Sequence, residues 1–158
     1  ADAVRRMNRL GIIVDVAHCS EDTVRGVVAA TDKPILCSHA NLKEPGHPDG
    51  DHPRYLSPEY ARMVVDTGGV IGAWIAVLWQ ERLPGMIRHL FRLIDTVGID
   101  HVGIGTDMPA GVAAEEMPDF SHHPEIVAAL RARGMTPEEI DKVCSGNWMR
   151  VFRTVRGR

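Results

Sequence analysis

Apolar and polar positions along this chain alternate between two periods, and the alternation lays out helices and strands in turn. Asp2 to Leu10 carries Val4, Met7 and Leu10 three apart, which is one face of a helix. Gly11 to His18 is an apolar run interrupted by Asp15 and predicts a buried strand. Ser20 then reads as the N-cap of a helix whose apolar face, Val24, Val27 and Val28, extends to about Ala30. Asp32-Lys33-Pro34 turns the chain into a second strand that ends at His39. Residues 40–58 hold four prolines and are too polar for a packed element, so a long loop placed to cover a site is expected there.

A helix from Pro58 to about Thr67, closed by Gly68-Gly69, leads into a third strand, Val70 to Ile75. Glu81 to Val97 spaces Ile87, Leu90, Phe91, Ile94 and Val97 along a helical stripe, and His101 to Asp107 follows as a fourth strand. Two helices close the chain, His123 to Arg133 and Thr136 to about Val155. The second opens on a capping box, with Thr136 as N-cap and Glu139 three positions on. Four strands separated by helices form consecutive βαβ units and demand a parallel α/β sheet with helical cover. Four such units are half of a (β/α)8 barrel. An open doubly wound sheet is the other arrangement, but no Gly-x-Gly-x-x-Gly follows any strand, so it would lack a dinucleotide cradle. Residues 1–158 read as one unit, without repeats.

Composition narrows the function classes. With 44% apolar and 25% charged residues and a net charge of −3, the chain has an ordinary globular make-up. Its cations are scattered, so nucleic acid is not an expected partner. No apolar stretch approaches the roughly 20 residues of a membrane span, and a soluble chain is expected, its compartment open. Cys19, Cys37 and Cys144 have no metal-type spacing and read as reduced packing residues.

The chemistry gathers at strand ends. His18 and His39 each close a strand, one βα unit apart, and Asp107 closes another. In parallel α/β folds that rim is where active sites lie. Two imidazoles there suit zinc or a similar divalent ion, and a nearby carboxylate suits a general base or a further ligand. Each residue also has a plainer role: a core histidine satisfied by backbone for His18, a turn cap for Asp107. The repetition of histidine at equivalent positions favours the site. Arg54, in the long loop, could clamp a substrate carboxylate, and its plainer role is a solvated loop cation. His47, His52, His89, His122 and His123 read as mostly solvated, His101 as a stabilising residue at a strand's amino end, and Asp15 as a structural carboxylate needing a partner if buried.

Met7-Asn8-Arg9-Leu10-Gly11, Val14 to Ser20, Cys37 to Ala40, Val102 to Asp107 and the closing Gly146-Asn147-Trp148-Met149-Arg150-Val151 occur in this order and together resemble the membrane (renal) dipeptidase family. That resemblance implies an amidohydrolase-type (β/α)8 barrel with two zinc ions that hydrolyses dipeptides through a metal-bridging hydroxide. It implies His18 and His39 as zinc ligands, Asp107 as the acid/base residue and Arg54 as the clamp on the substrate carboxylate. The family's His-x-Asp pair, bridging Glu and further substrate-contacting His have no counterpart here. Gly105-Thr106-Asp107-Met108-Pro109 departs from its usual Asp-Phe-Asp-Gly, and the loop around Arg54 is longer than expected. Only the fifth to eighth strands are matched, and the chain opens in a helical pattern without an initiator methionine. It is therefore expected to be the C-terminal half of a dipeptidase barrel and a partial enzyme. The other readings are a non-catalytic half-barrel that closes its sheet by self-association or with a partner, and a different amidohydrolase such as a lactonase or deaminase.

Overall fold

The computed structural model describes residues 1–46, 50–75, 83–108, 117 and 119–157. Helix α1, Asp2–Arg9, leads to α2, Glu21–Val28, whose cap is Ser20 with its hydroxyl accepting from the Thr23 N–H at 3.3 Å. Strand β1, Leu36–Ala40, is followed by α3, Pro58–Asp66, which is capped by Ser57 and has Pro58 in its first turn. Strand β2, Val70–Ala73, α4, Leu83–Val97, and β3, Val102–Ile104, complete the alternation. Helices α5, His123–Ala132, α6, Pro137–Asp141, and α7, Asn147–Arg156, follow, and the expected capping box of Thr136 and Glu139 is formed. Residues 81 and 82 and Pro109, which the sequence placed in a helix start and a strand-end stretch, lie outside the described residues. Among the described residues no helix is long and apolar enough to cross a membrane.

The three strands pair in parallel in the order β1-β2-β3. One face, with Cys37, Ile71, Ala73 and Val102, packs into the main core with Leu90 and Leu93 of α4 and Val64 of α3. The other face meets α7: Leu36 and Val70 touch Val151, Val155 and Trp148. Glycines line this second face because the space is taken. A Cβ on Gly103 would sit 2.4 Å from the Trp148 indole, and one on Gly72 would lie 2.1 Å from the Ser38 carbonyl oxygen.

The expected first strand, Gly11 to His18, is reduced to one parallel bridge between Asp15 and Leu36. Two ladder bonds form, Leu36 N–H to Val14 O and Val16 N–H to Leu36 O, at 2.9 and 2.8 Å. The pairing then stops, because His18 turns into the left-handed region at φ 60° and the Cys19 N–H bonds back to Val16 O. A period-two pattern reports burial, and it does not report where a turn ends the ladder.

The expected helix from Thr136 to Val155 is continuous but not uniform, since residues Lys142–Gly146 form a π-helical segment between α6 and α7. That wider turn sets Asn147 against the sheet. Its Nδ2 donates to Ile99 O at 2.7 Å and Val102 O at 2.8 Å. Arg150 donates to Gly68 O and Asp100 O at 2.6 and 2.7 Å. The closing Gly-Asn-x-x-Arg-Val motif is thus a clasp on the amino ends of β2 and β3, opposite the rim that carries the histidines.

Candidate active site

His18, His39 and Asp107 converge at the carboxyl ends of the strands. The Nε2 atoms of His18 and His39 lie 2.8 Å apart, and the rings meet edge to face with centroids 4.6 Å apart. Asp107 Oδ2 stands 3.6 Å from His39 Nε2. The indole of Trp74 packs 5.6 Å from both rings and forms an apolar floor. Backbone geometry aims these groups. β1 carries one extra residue between Cys37 and Ala40 relative to β2, a bulge that turns His39 onto the rim. Gly72 and Gly105 make room for it, since a Cβ on either would collide with Ser38 O. His18 and Asp107 are the two non-glycine residues found with positive φ among those described, each at 60°. Strained backbone of this kind concentrates at functional sites.

The arrangement suits a metal in part. Ser38 Oγ lies 2.9 Å from His39 Nδ1, which leaves Nε2 as the ring nitrogen facing His18. A neutral imidazole held this way offers its outer lone pair to a ligand. Two nitrogens on one tetrahedral zinc stand about 3.3 Å apart for bonds of about 2.0–2.1 Å, so the observed pair needs to open by a few tenths of an ångström. Among the described residues no group of three or more His, Cys, Asp or Glu is arranged to hold a metal. His18 and His39 therefore offer two nitrogen donors.

His18 titrates below the ordinary histidine range. Burial is the leading cause, followed by the neighbouring His39 and Arg54, with Asp107 and Asp15 opposing. The unfolded chain therefore takes up a proton on this ring first as the pH falls, and folding stability drops as the pH passes down through the ordinary histidine range. Thermal melts at pH 7.5 and 5.5 are expected to show this loss, and His18→Asn should lessen it. An unchanged difference between the two pH values in that variant would exclude His18 as its source.

Arg54 lines the same cleft as His18, a cavity of about 200 Å³ that also involves Lys43, Glu21 and Tyr60. Its side chain is exposed and pairs with no carboxylate among the described residues. The loop that bears it is well anchored. Asn41, fully buried, exchanges hydrogen bonds with the Trp74 backbone at 3.0 and 3.1 Å, and Lys43 and Leu56 pair across the loop's base. Glu44 is held by Arg88 and Arg92 of α4.

The structure brings His18, His39 and Asp107 together as the sequence predicts, while their supports are not evident from the sequence. Asn41 looked like a loop residue, and Ser38 and Tyr60 gave no pattern of their own. A hydroxyl directly before a strand-end histidine was the available signal for Ser38. His89, expected to be solvated, is buried on α4 against Tyr55, with centroids 5.5 Å apart, because it falls on the apolar stripe of that helix. His101 caps the amino end of β3 as expected, with Nδ1 2.8 Å from Gly69 O. His47 lies outside the described residues.

The family model described as Membrane dipeptidase (Peptidase family M19) matches residues 1–157. An uncharacterised protein in the pqqA 5′ region of Klebsiella pneumoniae is 28% identical over 98% of this chain and 59% of its own length. A dipeptidase, tcpJ, of Claviceps purpurea is 29% identical over 98% of this chain and 37% of its own. Among solved structures, a metallo peptidase from Rhodobacter sphaeroides bound to a phosphinate mimic of the dipeptide L-Ala-D-Ala superposes with a TM-score of 0.84 at 27% identity. That match covers 98% of this chain and 45% of the other. The fold is thus that of the TIM-barrel dipeptidases, and the chain spans about half the length of the relatives it matches.

Proposed function

The chain belongs to the membrane dipeptidase family, peptidase family M19, and we propose that residues 1–158 are the C-terminal half of a metal-dependent barrel that hydrolyses dipeptides. The observation that carries this reading is the facing pair of Nε2 atoms on His18 and His39, 2.8 Å apart beside Asp107. The relative solved with a dipeptide mimic supports the substrate class.

In this reading His18 and His39 would hold a zinc ion through their facing ring nitrogens. Two imidazoles suit zinc better than the oxygen-seeking magnesium or calcium. A bound zinc ion supplies Lewis-acid chemistry, the polarisation that an unreactive peptide carbonyl requires. Asp107 Oδ2 takes a proton from the attacking water and passes it to the departing amine. Its place 3.6 Å from His39 Nε2 keeps that oxygen beside the facing imidazoles. Arg54 pairs its guanidinium fork with the carboxylate of the substrate, a bidentate contact that fixes a dipeptide by its end. Trp74 excludes water beneath the histidines and strengthens each of these interactions. Four further strands, from the same polypeptide or a second copy, close the sheet and bring the remaining ligands.

The test is hydrolysis of a dipeptide panel by the protein in its full genomic reading frame, with zinc measured by elemental analysis. Turnover that stops on chelation and returns with zinc is the expected result. A zinc-loaded protein that cleaves no dipeptide overturns the proposal.

A further inference from the structure

We propose that Asp15 is a positioning residue that sets the separation of His18 and His39. The inference rests on the reading above that these two rings share a metal ion. One carboxylate oxygen, Asp15 Oδ1, accepts the Ala17 N–H at 3.0 Å and the Ser38 N–H at 3.0 Å. Ala17 directly precedes His18, and Ser38 directly precedes His39. A single atom therefore holds both backbones at the last point before each ring departs.

The reason a side chain does this lies in the ladder. Parallel pairing about Asp15 and Leu36 uses Leu36 N–H to Val14 O and Val16 N–H to Leu36 O. Evenly spaced parallel bonds would next join Ser38 N–H to Val16 O. That carbonyl is already engaged, by the Tyr60 hydroxyl at 2.5 Å and the Cys19 N–H at 3.0 Å. Ser38 N–H turns instead to Asp15, and the carboxylate stands in for the missing rung. The substitution occurs at the bulge of β1, where the chain leaves regular register. The Tyr60 bond fixes Val16, the Asp15 bonds fix Ala17 and Ser38, and the histidines project from this frame.

Two readouts on the protein in its full reading frame test the role. One is the nitrogen-edited imidazole spectrum of the metal-free form, and the other is a zinc titration against a competing chelator. Supports of this outer kind carry about 10–100-fold in metal affinity, and that is the loss expected for Asp15→Ala, together with shifted ring signals for both His18 and His39. Asp15→Asn keeps an oxygen acceptor, roughly half as strong without the charge, and should recover much of the affinity and restore the ring signals. A strand cap with no role in the site would lower the melting temperature and leave ring signals and zinc affinity unchanged, which overturns the proposal. Should Asp15→Ala fail to fold, Asp15→Glu moves the same oxygen by one methylene and is read the same way. Wild-type protein that takes up no zinc, or His18→Ala protein that binds it as tightly, overturns the metal reading and this inference with it. Asp15→Ala binding as wild type while His18→Ala loses zinc overturns this inference alone.

Discussion

On the zinc-dipeptidase reading proposed above, His39→Ala in the protein's full reading frame is expected to release zinc and to lower kcat/KM for dipeptides on the order of 1,000-fold or more, with little loss of stability. Removing an outer support of a metal site costs about 10–100-fold, and a direct donor carries more. A factor of 1,000 corresponds to about 4 kcal/mol of transition-state stabilisation, which is within what a correctly placed Lewis acid contributes. The fold should tolerate the change. The His39 ring lies on the strand-end rim with His18 and Trp74 as its ring neighbours, and Ser38 Oγ can be solvated once the ring is gone. A loss of about 1 kcal/mol, or a 2–4 °C drop in melting temperature, is expected. Steady-state kinetics with metal analysis and a thermal melt check both halves. A kcat/KM within tenfold of wild type would remove His39 from the reaction.

The largest effect on stability is expected far from the rim. Asn147→Ala should destabilise the protein by about 3–5 kcal/mol, because a buried carbonyl stripped of its donor costs about 1–3 kcal/mol and this amide serves two. Asn147 is 4% exposed, and its Nδ2 bridges Ile99 O and Val102 O on either side of the entry into β3. Against a total of about 5–15 kcal/mol for a domain, the loss removes a large share. Asn147→Asp should be at least as harmful, since it aims a negative charge at the same two oxygens. Urea unfolding reads the difference as a shift in midpoint at constant slope. A change below about 1 kcal/mol on this scale would show that Arg150 and Trp148 hold the clasp without Asn147.

Helix starts were legible where the chemistry is local. Ser20, Pro58 and the Thr136–Glu139 box act within one turn and need no tertiary context. The convergence of His18, His39 and Asp107 was legible too, because consecutive βα units place strand ends on one rim. What lay beyond the sequence depends on contacts across long separations. The strand before His18 ends early because the Val16 carbonyl is claimed by Tyr60, 44 residues away. Asn41 is indistinguishable from a turn residue until Trp74 meets it, 33 positions later. The π-helical turn before Asn147 leaves no periodic mark, since inserting one residue in a helix shifts the apolar face by only part of a turn. The bulge in β1 is likewise accommodated by Gly72 of β2 and Gly105 just beyond β3.

The left-handed backbone at His18 and Asp107 bears on how this gene can change over time. At both positions glycine would adopt φ 60° without the cost of about 1–2 kcal/mol that a side chain incurs there. Folding alone thus pulls these two codons toward glycine, away from the residues the cleft displays. Histidine and aspartate stand where the fold by itself would discard them.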